Sequence, residues 1–402
     1  MSKTDPSETS TGLNKLTLWV MTITTGLVVA NLYYSQPLLD DIAHTYHVSS
    51  GTAGNIAMLT QMGYALGMLF LIPLGDMLKR KKLILVDFGL IILSLLLAAF
   101  APSFLVMMIA SFLIGFTSIV PQLIIPMAAH LSKPEERGKT VGFVMSGLLI
   151  GILLSRTISG FVGAHFGWHL MFVIAAVLML LLWVIIYFLF PEIEPQYKGN
   201  YGGLMRSLIT LIRTEPLLRL AALRGTLCYA CFGAFWTTLV FLLRQPQFNM
   251  GSEESGLFGL VGAFGALGAA FMGRASDKSN PYTVTTFSIL LIVVSYIVFF
   301  VSGRSLTGLI IGVILLDLGV QATHISNQTM IFTLSAEARN RLNTVYMVSY
   351  FMGGALGTFL ASRAWNTWHW HGVTLIGLVL SVAALLVHFL YRKTVQLQLK
   401  LN

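Results

Sequence analysis

Charge is what this sequence has least of. Only 10% of its 402 residues are Asp, Glu, Lys or Arg, against about a quarter in a soluble domain. Hydrophobic residues make up 56% and the mean hydropathy is +0.79. A chain this poor in charge cannot cover a water-facing surface, so its solvent must be largely lipid. Cysteine is nearly absent too: Cys228 and Cys231 stand together in one apolar segment. Their C-x-x-C spacing can serve redox or metal chemistry. With no other soft ligand nearby they read as small packing residues, and no metal or other cofactor is expected. The sequence also lacks a P-loop, paired glycosidase carboxylates and any nucleophile–base arrangement on a soluble domain. It therefore does not read as an enzyme. No cleavable signal peptide is expected, because the first apolar run is too long and no small-residue cleavage site follows it.

What charge there is leans positive, with a net +9 and a pI near 9.6. In a soluble protein that would suggest nucleic acid. Here the basic residues gather in alternate loops, where they set membrane topology, and no nucleic-acid partner is expected. Twelve apolar segments, each near the ~20 residues that cross ~30 Å of hydrocarbon, run at about 16–38, 52–74, 82–101, 104–129, 139–164, 168–190, 219–243, 254–275, 283–302, 306–332, 342–363 and 371–391. The longest polar stretch, Pro191 to Pro216, separates the sixth from the seventh. This predicts an all-α integral membrane protein of two six-helix bundles, 1–192 and 217–402, joined by a linker over 193–216. The loops on the side of the termini and linker hold Lys79, Arg80, Lys81, Lys82, Lys133, Arg137, Lys139, Arg206 and Arg213, among others; the opposite side holds only Arg244, Arg304 and Arg363. That asymmetry predicts cytoplasmic termini. Trp168, Trp365, Trp368 and Trp370 fall at segment ends on the outer side, as an aromatic belt would.

One charge stands deep in a span. Gly147 to Gly160 reads GLLIGILLSRTISG and carries Arg156. A guanidinium in hydrocarbon costs from ~3 to more than ~10 kcal/mol, and arginine cannot shed its proton to escape the cost. Arg156 must therefore face water, a carboxylate or an anionic ligand. In the second half, Asp317 is the acidic residue well inside a span. At ~1.5 Å per residue, both lie more than about 20 Å from the linker-side ends of their segments. A pairing of Arg156 with Asp317 across the two halves is one expectation, and an anion held between them is another. Asp317, Gln321, His324 and Gln328 recur at spacings of four, three and four, with Asn327 close by. They form a polar stripe on one face of segment ten, and such a stripe must face a cavity rather than lipid. Because imidazole titrates near neutrality, Asp317 and His324 are candidates for proton coupling. Asn31, Tyr34 and Gln36 in segment one, Gln122 in segment four, and Arg224 and Trp236 in segment seven are further candidates for a substrate cavity. The stripe Gly147, Gly151, Ser155 and Ser159 should admit another helix closely, expected from the other half.

A weak internal repeat links the halves. Gly75-Asp76 followed by Lys79-Arg80-Lys81-Lys82 comes after segment two, and Gly273-Arg274 with Asp277-Lys278 comes after segment eight. Glu136-Arg137 before segment five is matched by Glu337-x-Arg339 before segment eleven. Parallel six-span halves related by duplication are a pattern of rocking transporters. With these loops, the chain resembles the major facilitator superfamily over nearly its whole length. Asn31-Leu-Tyr-Tyr-Ser-Gln-Pro37 and Arg339-Asn-Arg-Leu-Asn-Thr-Val-Tyr346 followed by Gly353-Gly354 resemble its bacterial branch of twelve-span drug–proton antiporters. The resemblance implies that Asp76, Arg80, Arg274 and Asp277 form a cytoplasmic latch, and that segments one, four, seven and ten line a central cavity. Where that branch carries Gly-Pro in segment five, this chain has Ser155-Arg156. The expected function is proton-coupled export of a small organic compound across a bacterial inner membrane by a monomer. The rivals are an organic-anion carrier with Arg156 on the substrate charge, and a transporter-like sensor or lipid scramblase.

Overall fold

The structure is a computed structural model that describes residues 13–195, 199–276, 281–335 and 337–391, with side chains described throughout except at 266–281. Among the described residues it is helical without strands. The first half contains α1 (Lys15–Ala30), α2 (Leu39–Thr45), α3 (Ser50–Leu71), α4 (Leu74–Met77), α5 (Arg80–Ala99), α6 (Phe104–Thr117), α7 (Val120–Leu131), α8 (Arg137–Phe166) and α9 (Trp168–Leu189). A linker helix α10 (Tyr201–Thr214) follows. The second half contains α11 (Pro216–Leu243), α12 (Ser252–Ser276), α13 (Pro281–Ser302), α14 (Leu306–Phe332) and α15 (Arg339–Leu390). Span one is α1 with α2, span two α3 with α4, span four α6 with α7, and α15 runs through spans eleven and twelve, so the count of twelve holds. Ser49, Ser103 and Ser305 cap α3, α6 and α14 by accepting from the amides of Thr52, Val106 and Gly308, which satisfies donors that a helix start leaves free.

Spans one and four break where Pro37 and Pro121 imply a bend, and the linker stretch differs from the sequence expectation. Span one is not continuous: α1 ends at Ala30 and a 3-10 turn at Gln36–Leu38 leads into α2. Pro37 has no amide to donate, and the Gln36 amide instead takes the Tyr33 carbonyl at 3.1 Å. Span four breaks between Thr117 and Val120, where the Pro121 ring would clash with the carbonyl four residues back. The stretch 193–216 holds an amphipathic helix. Leu204 and Leu208 of α10 are buried while Arg206, Ile209, Ile212 and Arg213 are exposed, and the Tyr201 hydroxyl donates to the Phe70 carbonyl at 3.0 Å.

The two halves repeat one packing scheme. In the first, α1 packs on α8, α3 on α6 and α5 on α9; in the second, α11 packs on α15, α12 on α14, and α13 on α15. Across the halves, α3 meets α15 and α8 meets α12. The small-residue stripe of α8 divides between both kinds of contact. Gly147 and Gly151 abut Thr22 and Gly26 of α1, inside the same half, while Gly160, next to Ser159 at the stripe's far end, abuts Ser252 and Gly256 of α12. The stripe therefore serves two partners, not only the other half as expected.

The ends of the molecule differ. On the face away from the linker, Arg244 donates to Asp40 at 2.8 Å and to Asp41 at 3.1 Å. The Gly51 amide donates to Asn366 Oδ1 at 3.1 Å, and His165 lies 3.8 Å from Glu253. All of these join one half to the other, so this far face is closed. On the linker face a cavity of about 510 Å³ lies between Asp76, Arg80, Gln122 and Pro126 of the first half and Phe332, Asn340, Asn343 and Thr344 of the second, with Leu204 and Leu208 of α10 on its wall.

Candidate functional site: a guanidinium and a carboxylate on either side of an indole

Above that cavity lies an aromatic layer. Tyr64 packs edge-on against Phe351 at 4.6 Å, and Tyr229 stacks on Tyr350 at 4.0 Å. The hydroxyls of Tyr33 and Tyr229 lie 3.2 Å apart, joining the halves, and Gln61 donates to Thr358 across the same interface at 3.2 Å. Gln122 lines the cavity and donates to Tyr64 at 3.2 Å, so the layer forms the cavity's roof.

Beyond this roof sits Arg156, 3% exposed. The bend at Pro37 turns Gln36 inward, and Gln36 Oε1 accepts from Arg156 Nε at 2.8 Å. The guanidinium carbon lies 4.1 Å from the centre of the Trp236 ring, 4.6 Å from Tyr33 and 5.6 Å from Phe232. Each desolvated contact of this kind can contribute ~2 kcal/mol, which offsets part of the burial cost. Yet Arg156 Nη2 is buried without a hydrogen-bond partner among the described residues. At the edge of the same indole, Trp236 Nε1 donates to Asp317 Oδ1 at 3.2 Å, and Asp317 is 5% exposed. Gly262 of α12 faces this junction. A Cβ there would collide with Asp317 and the Trp236 ring, so α12 can approach only with glycine at that position. Arg156 and Asp317 thus belong to one site but form no direct ion pair within 4.0 Å here. The indole touches both, its face toward Arg156 and its N–H toward Asp317. The sequence placed Arg156, Gln36, Trp236 and Asp317 as candidates, and they converge; it did not single out Tyr33, whose aromatic character alone does not distinguish a cation's wall from a packing contact.

The other candidates fall elsewhere. His324 packs on Tyr350 and its Nδ1 lies 3.0 Å from the Tyr346 hydroxyl. It stands seven residues from Asp317, about 10 Å along the helix. Gln328 donates to Asn343 at 3.0 Å, at the cavity wall, and Gln321 is half-buried. Tyr34 is buried, and Asn31 turns away from the centre, donating to Met179 Sδ of α9 at 3.7 Å. Arg224 and Asn327 line no open cavity. They are locked together inside the second half, with Arg224 Nη2 donating to Asn327 Oδ1 at 2.7 Å. Asp76 and Arg80 pair with each other at 3.5 Å, beside the open cavity, with no partner across the halves among the described residues. Asp277 lies outside the described residues, and Arg274 lies outside those whose side chains are described. The sequence reading passed over Asp40 and Asp41; two carboxylates closing span one, opposite the sparse far-side basic residues, were the available signal.

Two six-span halves closed at one face and open at the other, with opposite charges buried between them, define a secondary transporter. The major facilitator superfamily model matches residues 18–316 and 226–400, and the chain belongs to that family. It is 42% identical over 368 residues to an uncharacterized transporter, YgaY, of Escherichia coli O157:H7, covering 92% of this chain and 93% of that protein. Over 360 residues it is 24% identical to a Helicobacter pylori protein named as a probable sugar efflux transporter, covering 88% and 89%. Among solved structures, an inward-facing bacterial homologue of the lysosomal transporter Spinster superposes with a TM-score of 0.76 at 17% identity, over 94% of this chain and 97% of that one. The nucleoside transporter NupG does so with 0.76 at 14%, over 93% and 99%. At such identities the two structures speak for the fold alone.

Proposed function

We propose that this protein is a proton-coupled exporter of a small organic compound, working by alternating access in a bacterial inner membrane with its linker face in the cytoplasm. The observation that carries the reading is the Arg156–Trp236–Asp317 arrangement, in which one indole of the second half meets a cation of the first half at its face and a carboxylate of its own half at its N–H edge. With Asp317 ionised, its charge offsets Arg156 across the interface, which draws the halves together. A proton on Asp317 removes that offset and leaves the guanidinium uncompensated, so protonation changes the energy of the interface on which the halves rock. The open cavity between Gln122 and Asn343 is then the cytoplasmic vestibule, the aromatic layer its inner door, and the Arg244 cluster the outer door. Asp76 and Arg80 latch the cytoplasmic face when the vestibule closes. His324, bonded to Tyr346, lies on the path from the vestibule to Asp317 and relays the proton. The lysine and arginine asymmetry supports the orientation, and the Helicobacter relatives named for efflux support the direction.

The test is transport by reconstituted protein. Compounds selected by thermal stabilisation from a metabolite panel are loaded into proteoliposomes and a pH gradient is imposed. The wild type should drive flux against the proton gradient. Asp317→Asn should abolish gradient-driven flux while substrate exchange without a gradient persists. Normal gradient-driven flux in Asp317→Asn would end the proposal. The rival organic-anion carrier draws on the free Nη2 of Arg156; it requires Arg156→Ala to lose substrate affinity with proton movement retained.

A further inference from the structure

The Arg156 site holds two opposite buried charges, and the protein leaves one edge of the guanidinium without an acceptor among the described residues. Arg156 uses Nε on Gln36 and leaves Nη2 buried without a partner among the described residues. Asp317 has one hydrogen bond, from the Trp236 indole to Oδ1. A buried guanidinium edge without acceptors is costly, and it is kept here although Gln36 shows that a side-chain acceptor can reach the group. The rings of Tyr33, Phe232 and Trp236 surround the Arg156 guanidinium and offer apolar surface and cation-attracting faces.

We infer that the substrate is a small zwitterion, carrying a carboxylate and an ammonium a few bonds apart on an apolar or aromatic body. This deepens the transport reading above and rests on its site. The carboxylate takes the free edge of Arg156, and the ammonium takes Asp317. The chamber is neutral with Asp317 ionised, and a zwitterion keeps it neutral with each buried charge paired. A simple anion brings its charge against Asp317, and a simple cation brings its charge against Arg156, so each leaves one protein charge unpaired in a desolvated space. A neutral polyol leaves both unpaired. The ammonium and a proton compete for the same carboxylate, so the zwitterion and the proton occupy the site in turn. That mutual exclusion is what an exchanger requires.

The experiment is binding at fixed pH without a gradient. A matched set on one skeleton is used: phenylalanine, 3-phenylpropionate, phenethylamine and 3-phenylpropanol. An aliphatic set is built in parallel on leucine, and glucose serves as a neutral polyol. Thermal stabilisation and competition are measured on the full-length protein in detergent. The zwitterion of at least one set should bind at least about tenfold more tightly than its singly charged members, as expected when a desolvated charge loses its partner. In Asp317→Asn the preference should move to the carboxylate-only compound, and in Arg156→Gln to the amine-only compound. The wild-type comparison needs no variant to fold. Equal or tighter binding of a singly charged member or glucose overturns the inference, and so does the absence of stabilisation by either zwitterion. A zwitterion that binds but is not driven by a pH gradient would instead sink proton coupling and leave the site assignment standing.

Discussion

Among the described residues two arginines, Arg156 and Arg224, are buried in the spans, and the protein treats them differently. Arg224 is fully buried inside the second half. Its Nη1 donates to His388 Nδ1 at 2.9 Å, and its Nη2 donates to Asn327 Oδ1 at 2.7 Å and to Met330 Sδ at 3.8 Å. Guanidinium only donates, so His388 must accept at Nδ1 and carry its proton on Nε2. That proton goes to Thr286 Oγ1 at 2.7 Å, and Thr286 in turn donates to the Tyr282 carbonyl at 2.9 Å. Both terminal nitrogens of Arg224 are thus used, by partners on α14 and α15. Arg156 lies between the halves, donates from Nε to Gln36, and leaves Nη2 without an acceptor among the described residues. One guanidinium is built into a half to hold its helices together. The other is held by Gln36 and aromatic faces, where a ligand and a change of interface can reach it. A buried charge in a span marks function by default, but its hydrogen-bond partners decide whether that function is architecture or transport.

That contrast can be broken by substitution. The largest expected effect is on transport: Arg156→Gln should lower flux by at least about a hundredfold, the loss of more than ~2.7 kcal/mol, while the melting temperature in detergent changes little. Next is stability. Arg224→Met strands Asn327 Oδ1 and His388 Nδ1, each worth ~1–3 kcal/mol when buried and unpaired, so it should melt several degrees lower. Should the two variants exchange these behaviours, the distinction is wrong. A smaller effect belongs to the far face. Arg244 is partly exposed, so its pairs contribute about 1 kcal/mol or less. Arg244→Gln should widen the far-face distance between spin labels at positions 102 and 367 without unfolding the protein.

Much of the fold is legible in the sequence, because hydrocarbon demands apolar stretches of fixed length and charges in such stretches stand out. Arg156, Asp317 and Trp236 are visible for that reason. Their arrangement is not visible, because the indole that touches both charges is packed by helices distant in sequence. Arg224 looks like a cavity residue until His388, 164 positions away, is seen to accept from it. Asn31 looks equally available but spends its amide on Met179. The breaks at Pro37 and Pro121 follow from proline chemistry, whereas the direction in which they turn Gln36 depends on tertiary packing. The amphipathic linker helix is written in the alternation of Leu204, Leu208 and the arginines around them, hidden only by its place in a charged connection.

The most direct test of the central claim is proton release on substrate binding. Detergent-solubilised protein in weak buffer, with a pH indicator, is mixed with a compound selected by thermal stabilisation. If Asp317 exchanges its proton for substrate, the wild type releases protons in proportion to bound substrate, and Asp317→Asn binds without releasing any. Undiminished proton release in Asp317→Asn would contradict the account.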